Sequence, residues 1–517
     1  MNTASRMEST GRANRIQVSQ DTADLLKASG KGQWVVPREE MIQVKGKGMM
    51  VSYWLSASGR SDASSVAGSS VAGDSTTDAT SLSGESVGGA SSDINDGGVV
   101  VSVGPEKLSH NEKTDMDVKT ASLVKWNVNM LSTIIQKIAV QNMDITSGAA
   151  RRNDLSIHSD SEPSGTVLDE VKEVIELPHF SGSPTQDWRS VELKPEVTEQ
   201  LQDLISGIAS MYQQNFFHNF EHASHVSMAV MKLTTRVVNP KIDGVNVQSH
   251  EASMLHDYTY GITSDPLLQF ACMFSAVIHD ADHPGVPNST LIKENSQLAQ
   301  VYKKSTAEQN SFDLAWALFM DDKYSDLRNA LCRDEGELKR FRQMVVNMVM
   351  ATDVIDKDLN GFRNKRWSRA FGSEADLEEA EKDKVDRKAT IVVEHMIQAA
   401  DVAHTMQHWH IYRKWNERLF CEMYEAFTSG RSETNPADGW YDGELGFFDF
   451  YIIPLAKKLA DCGVFGVASS EYLSYAERNR REWADRGREI VAEYVEGAKK
   501  KLMKKQLKHQ DMADVRL

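Results

Sequence analysis

Three features that would each point to a particular class of protein are missing or sparse in this sequence. The first is cysteine: the 517 residues include 4, and none stands close enough to another for a zinc knuckle or a disulfide framework. They are Cys272, Cys332, Cys421 and Cys462. We therefore expect reduced thiols and a cytoplasmic protein.

The second missing feature is a long apolar run, because none reaches the roughly 18 residues that a membrane-spanning helix needs. No signal peptide opens the sequence either. We expect this chain to be soluble, although a longer parent protein could be membrane-anchored through a part that precedes it.

Positive charge is the third feature in short supply. The chain has 58 Lys and Arg against 74 Asp and Glu, which gives a formal net charge of −16. A protein that binds nucleic acid needs a broad basic surface to neutralise phosphates. Nucleic acid is therefore excluded from the expected partners.

Composition divides the chain into segments. Residues 1–55 carry short strand and helix signals, such as "RIQVS" and "MIQVKGKGMMVSYWL", and predict a small α/β unit. Residues 56–118 are rich in Ser, Gly, Asp and Ala, and predict a disordered linker because they cannot bury enough apolar surface. Residues 165–497 are dense in amphipathic helix patterns, so the predicted fold class is mainly α. The basic tail, residues 498–517, indicates a solvated helix end or a weak contact with an acidic lipid or partner.

Residues 119–143 predict an amphipathic helix that connects the two folded parts. Its apolar stripe consists of Val124, Val128, Leu131, Ile135 and Ile138. The stripe fits two interpretations. The helix either docks on a core of its own chain, or it joins two copies in a homodimer or relays between domains.

A set of metal-ligand side chains is spread over three helical patterns. His218 and His222 are four residues apart, so they project from one face of a helix. The apolar run before "VIHDADHPGVPN" ends on His279 and Asp280, and Asp401 interrupts another apolar helix. An unpaired aspartate is costly to bury, and a cation removes that cost. Two imidazoles and two carboxylates predict a divalent metal site, with zinc as the ion that mixed N and O ligands suit.

These segments bring the sequence to a known family. "FHNFEHA", "VIHDADHPGVPN", "ATD", "AADVAH" and "ELGFFDFYIIPLAKKL" resemble, in order, the motifs of class I 3′,5′-cyclic nucleotide phosphodiesterases. The resemblance covers residues 165–497 and implies a compact, all-helical catalytic domain with an HD-type metal site. The reaction it implies is metal-dependent hydrolysis of a cyclic nucleotide to the nucleoside 5′-monophosphate, in signal transduction.

The resemblance also implies a ligand set and two cofactors. His222, His279, Asp280 and Asp401 match the protein ligands of a first metal ion, which is usually zinc. Asp280 would bridge to a second ion, usually magnesium or else manganese, held mostly through waters. A water held between two cations is deprotonated near neutral pH and can attack phosphorus in line.

Further residues match positions beside the metals. His218 matches the general acid that protonates the departing ribose O3′. Asp280 and Asp401 would face the substrate with it. His283, Asn288 and Glu308 match positions that orient waters and the acid. We expect Glu308 to hold His218 in its proton-donating state.

The base pocket of the family maps onto two segments. Phe447 matches the aromatic residue that stacks on the purine, and Leu419 matches the aliphatic residue on its other face. The family reads the purine with a glutamine where this chain has Glu444. An ionised carboxylate only accepts hydrogen bonds, which suits the N1–H and N2–H donors of guanine, so cGMP is slightly favoured over cAMP. A raised pKa of Glu444 would remove that preference.

Two smaller departures concern the surroundings of the metals. The family's tyrosine before the acid histidine is Phe217 here, and two histidines of the family are replaced by Asn310 and Ser311. These changes affect the network around the ligands and leave the ligands themselves in place.

Residues 1–55 resemble the C-terminal end of a class III nucleotide cyclase domain. Asn2 and Arg6 fall on positions that stabilise the cyclisation transition state in that family. The family's two metal-binding aspartates are not in this segment, so we expect no cyclase activity from it alone. The resemblance implies a missing upstream cyclase part in a larger cyclase–phosphodiesterase fusion.

Two other functions fit parts of the pattern. A catalytically inactive cyclic-nucleotide sensor would keep the fold without turnover. The string "HNFEH" also fits the inverzincin zinc peptidases, in which Glu221 would be the base. That reading gives His279, Asp280 and Asp401 no task.

Overall fold

The computed structural model describes ten stretches of the chain: residues 16–28, 32–38, 42–44, 48–55, 117–146, 166–178, 187–235, 255–372, 380–465 and 467–514. The chain divides into two compact units, Met1–Gly97 and Gly98–Leu517. The predicted linker lies outside the described residues except for its last two positions, as do Asn2 and Arg6.

The first unit is a small α/β structure, as predicted. Its elements are β1 (Ile16–Ser19), α1 (Gln20–Ala28), β2 (Val35–Pro37), β3 (Ile42–Val44), β4 (Gly48–Met50) and β5 (Ser52–Leu55). Strand β5 lies between β1 and β2 and pairs antiparallel with both, in a register that places Trp54 opposite Gln17 and Val36. Strands β3 and β4 pair antiparallel with each other.

The second unit is helical in its described part. Its α-helices are α2 (Val118–Thr146), α3 (Pro195–Met211), α4 (Phe220–Thr235), α5 (Pro266–Ile278), α6 (Asn288–Lys293), α7 (Gln297–Val301), α8 (Thr306–Met320), α9 (Ser325–Leu331), α10 (Glu335–Ala351), α11 (Lys357–Phe371), α12 (Glu381–Asp401), α13 (Trp409–Thr428), α14 (Trp440–Phe447), α15 (Ile453–Asp461) and α16 (Val467–Asp514). A π-helical turn, Phe448–Ile452, joins α14 to α15. Within the described ranges, none of the helices combines the length and apolar character that crossing a membrane requires.

Helix α2 packs on its own chain. The stripe predicted from the sequence is buried against α3, α4 and α5, with Leu131 and Ile135 fully enclosed. The Asn127 amide donates to the Ser224 hydroxyl of α4 at 3.1 Å, which ties the connecting helix to a helix of the site. The first of the two interpretations therefore fits, because this stripe is unavailable to a second copy unless the core opens.

Helix α5 lies at the centre of the unit. Pro266 begins it, and the Asp265 side chain caps it by accepting from the backbone N–H of Leu268. From Leu267 to Ile278 nearly every side chain is buried, which is why the segment reads as a continuous apolar run. The helix ends at Ile278, and His279 and Asp280 follow directly. Packing of the helix in the core therefore fixes the positions of these two polar residues.

The long C-terminal helix α16 closes the unit by packing on α13, α14 and α15. Trp483, Tyr472 and Tyr494 are its largest buried side chains. The helix continues through the basic tail, where Lys501 and Lys505 form ion pairs with glutamates of α13.

Candidate metal centre

Three helices bring four metal-ligand side chains together. His222 comes from the first turn of α4, His279 and Asp280 follow the end of α5, and Asp401 is the last residue of α12. One ligand atom from each of the four lies within 4.8 Å of the others. The sequence prediction that these residues converge is therefore confirmed as a geometric fact.

The tautomer of His279 leaves one ring nitrogen for a cation. Its Nδ1 lies 3.0 Å from the carbonyl oxygen of Ala276, so this nitrogen carries the proton. The other nitrogen, Nε2, is buried and has no hydrogen-bond partner among the described residues. It lies 3.1 Å from Asp280 Oδ2 and 3.4 Å from Asp401 Oδ1. Burial lowers the pKa of His279, but Asp280 and Asp401 raise it well above the usual value, so without a cation this nitrogen carries a proton. A metal ion bound here would take the place of that proton.

His222 faces the same carboxylates. Its Nε2 lies 3.0 Å from Asp401 Oδ1 and 3.6 Å from Asp280 Oδ2. Burial alone would raise the pKa of both aspartates, but the neighbouring imidazoles hold each pKa below its usual range. Both carboxylates are thus ionised at neutral pH, as metal ligands must be.

The backbone around the cluster also favours positive charge. Helices α5 and α12 both end at it, so the carbonyl ends of two helix dipoles converge on the four ligands. Two nitrogen and two oxygen donors in a buried site fit a divalent transition ion. The residues present therefore fit the metal that the sequence indicates.

His218 lies beside the cluster and is held by a residue that the sequence analysis missed. Glu422 of α13 accepts from the backbone N–H groups of Phe217 and His218 at 2.7 and 3.0 Å. Its other oxygen accepts a short hydrogen bond from His218 Nδ1. Glu422 is almost fully buried, so this pair is shielded from water.

The charge state of His218 follows from that contact. Burial alone would lower its pKa, but the carboxylate of Glu422, with Asp280 and Asp401 nearby, raises the pKa to about 9. His218 in turn helps to lower the pKa of Glu422 to about 2, against the effect of burial. The imidazole is therefore a protonated group that points its Nδ1 at Glu422 and leaves Nε2–H to donate elsewhere.

The prediction that Glu308 holds His218 is wrong, because Glu422 occupies that place. Glu308 instead accepts from the Asn288 amide at 2.9 Å, and the Asn288 oxygen accepts from the backbone of Ala307 at 3.0 Å. Burial, with the charge of Asp353, raises the pKa of Glu308 to about 8. Glu308 is thus a largely protonated acid at neutral pH.

His283 stacks on His218, with ring centroids 3.9 Å apart and planes 28° apart. Burial and the charge of His218 lower the pKa of His283 to about 4, so a neutral ring lies against a charged one. The Asn215 amide donates to the backbone oxygens of both histidines, at 3.1 and 2.7 Å. These contacts fix the position of the His218 ring beside the four-residue cluster.

The residues that depart from the family pattern still tie the site together. Ser311 donates to the carbonyl oxygen of Ala281 at 2.7 Å, and the Asn310 amide lies 3.3 Å from the Asp282 carboxylate. Both bonds attach α8 to the turn after His279 and Asp280. The ring centroids of Phe217 and His222 lie 4.5 Å apart.

The predicted base-site residues lie on α13 and α14. Glu444 is buried, and its Oε2 accepts from the Tyr412 hydroxyl at 2.7 Å. Leu419 and Phe447 are half-buried, and the Phe447 ring stacks on Tyr451 with centroids 5.3 Å and planes 17° apart. Burial raises the pKa of Glu444 to about 7, although hydrogen bonds from Tyr412 and Asn416 act against the rise.

Comparison with known proteins agrees with the motifs. Residues 217–464 match the family model described as 3′5′-cyclic nucleotide phosphodiesterase. Residues 1–57 match the adenylate and guanylate cyclase catalytic domain. Both resemblances read from the sequence are thereby confirmed.

Individual relatives are distant and longer than this chain. A probable 3′,5′-cyclic-AMP phosphodiesterase of Caenorhabditis elegans is 26% identical over 285 residues, which are 53% of this chain and 37% of the relative. The 3′,5′-cyclic-AMP phosphodiesterase 4C of Mus musculus is 28% identical over 227 residues, 41% of this chain and 31% of the relative. The chain thus spans well under half the length of these relatives.

A solved structure also aligns with the chain. It is the crystal structure of the phosphodiesterase domain of the Salpingoeca rosetta rhodopsin phosphodiesterase, with a TM-score of 0.43 and 20% identity. The alignment covers 58% of this chain and 83% of that chain.

The contacts of Glu221 contradict the peptidase interpretation. Glu221 accepts from Lys119 at 2.6 Å and pairs with Arg418 at 2.9 Å. Burial would raise the pKa of Glu221, but these cations lower it to about 2. A carboxylate that is committed to two cations cannot take a proton from water as a peptidase base must.

Proposed function

We propose that the helical unit, which contains residues 217–464, hydrolyses 3′,5′-cyclic nucleotides to nucleoside 5′-monophosphates in signal transduction. The observation that supports it best is the convergence of four metal ligands beside a protonated His218. Phosphodiester hydrolysis needs an activated water on one side of phosphorus and a proton for the leaving oxygen on the other. The cluster and His218 can supply these two requirements from adjacent positions.

The proposed cofactors are two divalent cations, zinc in the first site and magnesium or manganese in the second. His222, His279, Asp280 and Asp401 would hold the first, and Asp280 would be shared with the second. When bound, such ions act as Lewis acids on phosphate oxygens and lower the pKa of a coordinated water. The two ionised aspartates supply the negative charge that this pair of cations requires.

His218 is the proposed general acid. Its Nε2–H would donate to O3′ of the ribose as the P–O3′ bond breaks, while Glu422 stabilises the positive ring beforehand. The neutral ring of His283 and the amide of Asn215 would keep the acid in position. Asn288 and Glu308 form a hydrogen-bonded pair of their own, and we propose that they orient waters of the second cation.

The proposed base site uses Phe447 and Leu419 on the two faces of the purine and Glu444 at its edge. An ionised Glu444 favours cGMP slightly, because guanine presents two donors side by side. With a pKa near 7, both forms of Glu444 are populated at neutral pH, so cAMP is accepted as well. The proposed substrates are therefore both cyclic nucleotides.

The cyclase-like segment supports a second, smaller proposal. Residues 1–57 match a cyclase catalytic domain, so synthesis and hydrolysis of cyclic nucleotides would be joined in one longer protein. In this chain the segment would not cyclise ATP or GTP alone.

The direct test is release of 5′-AMP or 5′-GMP from the cyclic nucleotides by the purified chain. We expect turnover of both substrates, complete loss after treatment with a chelator, and recovery when zinc and magnesium are returned, because the four ligands need a cation to act. The inactive-sensor alternative predicts tight nucleotide binding without any product. That result, obtained with metal-loaded protein, would refute the proposed function.

A further inference from the structure

Glu444 has a buried carboxylate, and its neighbours among the described residues are uncharged hydrogen-bond donors. It is 9% exposed, and its hydrogen bonds come from the hydroxyl of Tyr412 and the side chain of Asn416. In the part of the chain that the structure describes, burial and these two hydrogen bonds are the influences on its pKa. Burying a negative charge without a positive partner favours the neutral form, so the protonation of this group is finely balanced by its two donors.

The orientation of Asn416 is set from the other side. Its oxygen accepts from the indole N–H of Trp440 at 3.1 Å, so its amide N–H groups are the ones that remain for Glu444. Tyr412 is fully buried and directs its hydroxyl at Glu444 Oε2. Both neighbours therefore donate to Glu444 from fixed positions. When Glu444 is protonated, its own proton remains available to a ligand.

The titratable groups around Glu444 do not change charge near neutral pH. Tyr412 and Tyr494 are the ionisable side chains that interact with it from α13 and α16, and burial raises the pKa of both phenols above the usual value. The charged side chains of the packed elements pair with each other toward solvent: Asp442 with Arg488, Asp449 with Arg480, Arg413 with Glu493, and Glu417 with Lys501.

We propose that the protonation state of Glu444 selects the purine, so that the ratio of cAMP to cGMP hydrolysis depends on pH. This inference rests on the proposed function and on the placement of Glu444 at the base edge. Protonated Glu444 offers one donor and one acceptor, which match N1 and the N6–H of adenine. Ionised Glu444 offers acceptors alone, which match N1–H and N2–H of guanine and leave N1 of adenine facing a carboxylate.

The test is the ratio of kcat/KM for cAMP to kcat/KM for cGMP, measured on the full chain from about pH 6 to about pH 8.5. Ionisations of His218 and of the metal site act on both substrates and cancel in the ratio. Above a midpoint near neutrality, we expect the ratio to fall by about tenfold per pH unit, because the protonated fraction of Glu444 falls about tenfold with each unit.

Two variants separate Glu444 from other causes. Glu444→Gln has nearly the same size and no titratable proton, so its ratio should be constant over the same range. Tyr412→Phe removes a donor that stabilises the ionised carboxylate, so the midpoint should move to higher pH. A constant ratio in the wild-type chain while both nucleotides are hydrolysed would overturn this inference and leave the proposed function intact. A ratio that still varies in Glu444→Gln would also overturn it, whereas loss of both hydrolyses in the wild-type chain would refute the function itself.

Discussion

Replacing Asp401 by asparagine should lower kcat/KM for both cyclic nucleotides by at least about a thousandfold, the order of loss seen when a main electrostatic stabiliser of a transition state is removed. Asp401 faces His222 and His279 at 3.0 and 3.4 Å, so it is the acidic partner of both imidazoles. An uncharged amide would leave a divalent cation with one negative ligand fewer in a buried site. The measurement is kcat/KM together with zinc bound per chain, which should fall in parallel.

A matched control is Asp203→Asn. Asp203 lies on α3, is exposed and bonds Lys323 and Tyr324. Its removal should leave kcat/KM and bound zinc within about twofold of wild type, because an exposed pair contributes little. An Asp401→Asn variant that folds and keeps wild-type kcat/KM would contradict the ligand assignment.

Replacing His218 by asparagine should lower kcat by about 100- to 10,000-fold, the usual contribution of a general acid. Metal content should stay at the wild-type level, because His218 Nδ1 contacts Glu422 and not the four ligands. Loss of zinc together with activity would instead show that His218 acts as a ligand. Steady-state kinetics and elemental analysis on the same preparation distinguish these results.

Glu422, the partner of His218, allows a second test in which a smaller loss of kcat is expected. Glu422→Gln keeps the size of the side chain but removes the charge that raises the pKa of His218. We expect kcat to fall by about 10- to 100-fold, as for other residues that position a reacting group. In this variant the imidazole of His218 should lose its proton at a lower pH than in wild type. The decline of kcat on the alkaline side should therefore also begin at a lower pH.

A control for Glu422 lies one turn further along α13. Glu425 pairs with Lys505 at 2.8 Å and is half-buried at the surface of the same helix. Glu425→Gln should change neither kcat nor its pH profile. If Glu422→Gln also changed neither, Glu422 would have no part in holding the proton of His218.

The sequence was sufficient to predict that His279, Asp280 and Asp401 lie together, because each is found where a local pattern breaks. His279 and Asp280 end an apolar run that becomes the buried helix α5, and Asp401 interrupts the apolar stripe of α12. A polar group in such a place needs a partner, so its chemistry is visible without the fold. The mainly helical class followed in the same way from amphipathic periodicity.

Glu422 was not predicted because its own segment contains several glutamates. Glu417 and Glu425 lie on the same helix and pair with lysines of α16, whereas Glu422 points inward. One signal could have distinguished it: Tyr412, Trp415 and Leu419 recur at helical spacing, and position 422 continues that stripe. Its partner His218 is 204 residues away in sequence, so only the fold identifies the contact.

The connecting helix α2 shows what the sequence alone could not predict. Its apolar stripe was evident, but periodicity tells which face is buried and not which surface covers it. The surface proved to be α3, α4 and α5 of the same chain. The charge state of Glu444 was equally beyond the sequence, because it depends on Tyr412 and Asn416 from another helix and on burial.

The most direct measurement of the central claim is anomalous X-ray diffraction at the zinc absorption edge, from crystals of the metal-loaded chain. The account predicts one strong peak within about 2.0 to 2.2 Å of a nitrogen of His222 and of His279 and an oxygen of Asp280 and of Asp401. A catalytically active crystal without a metal peak among these four side chains would contradict it.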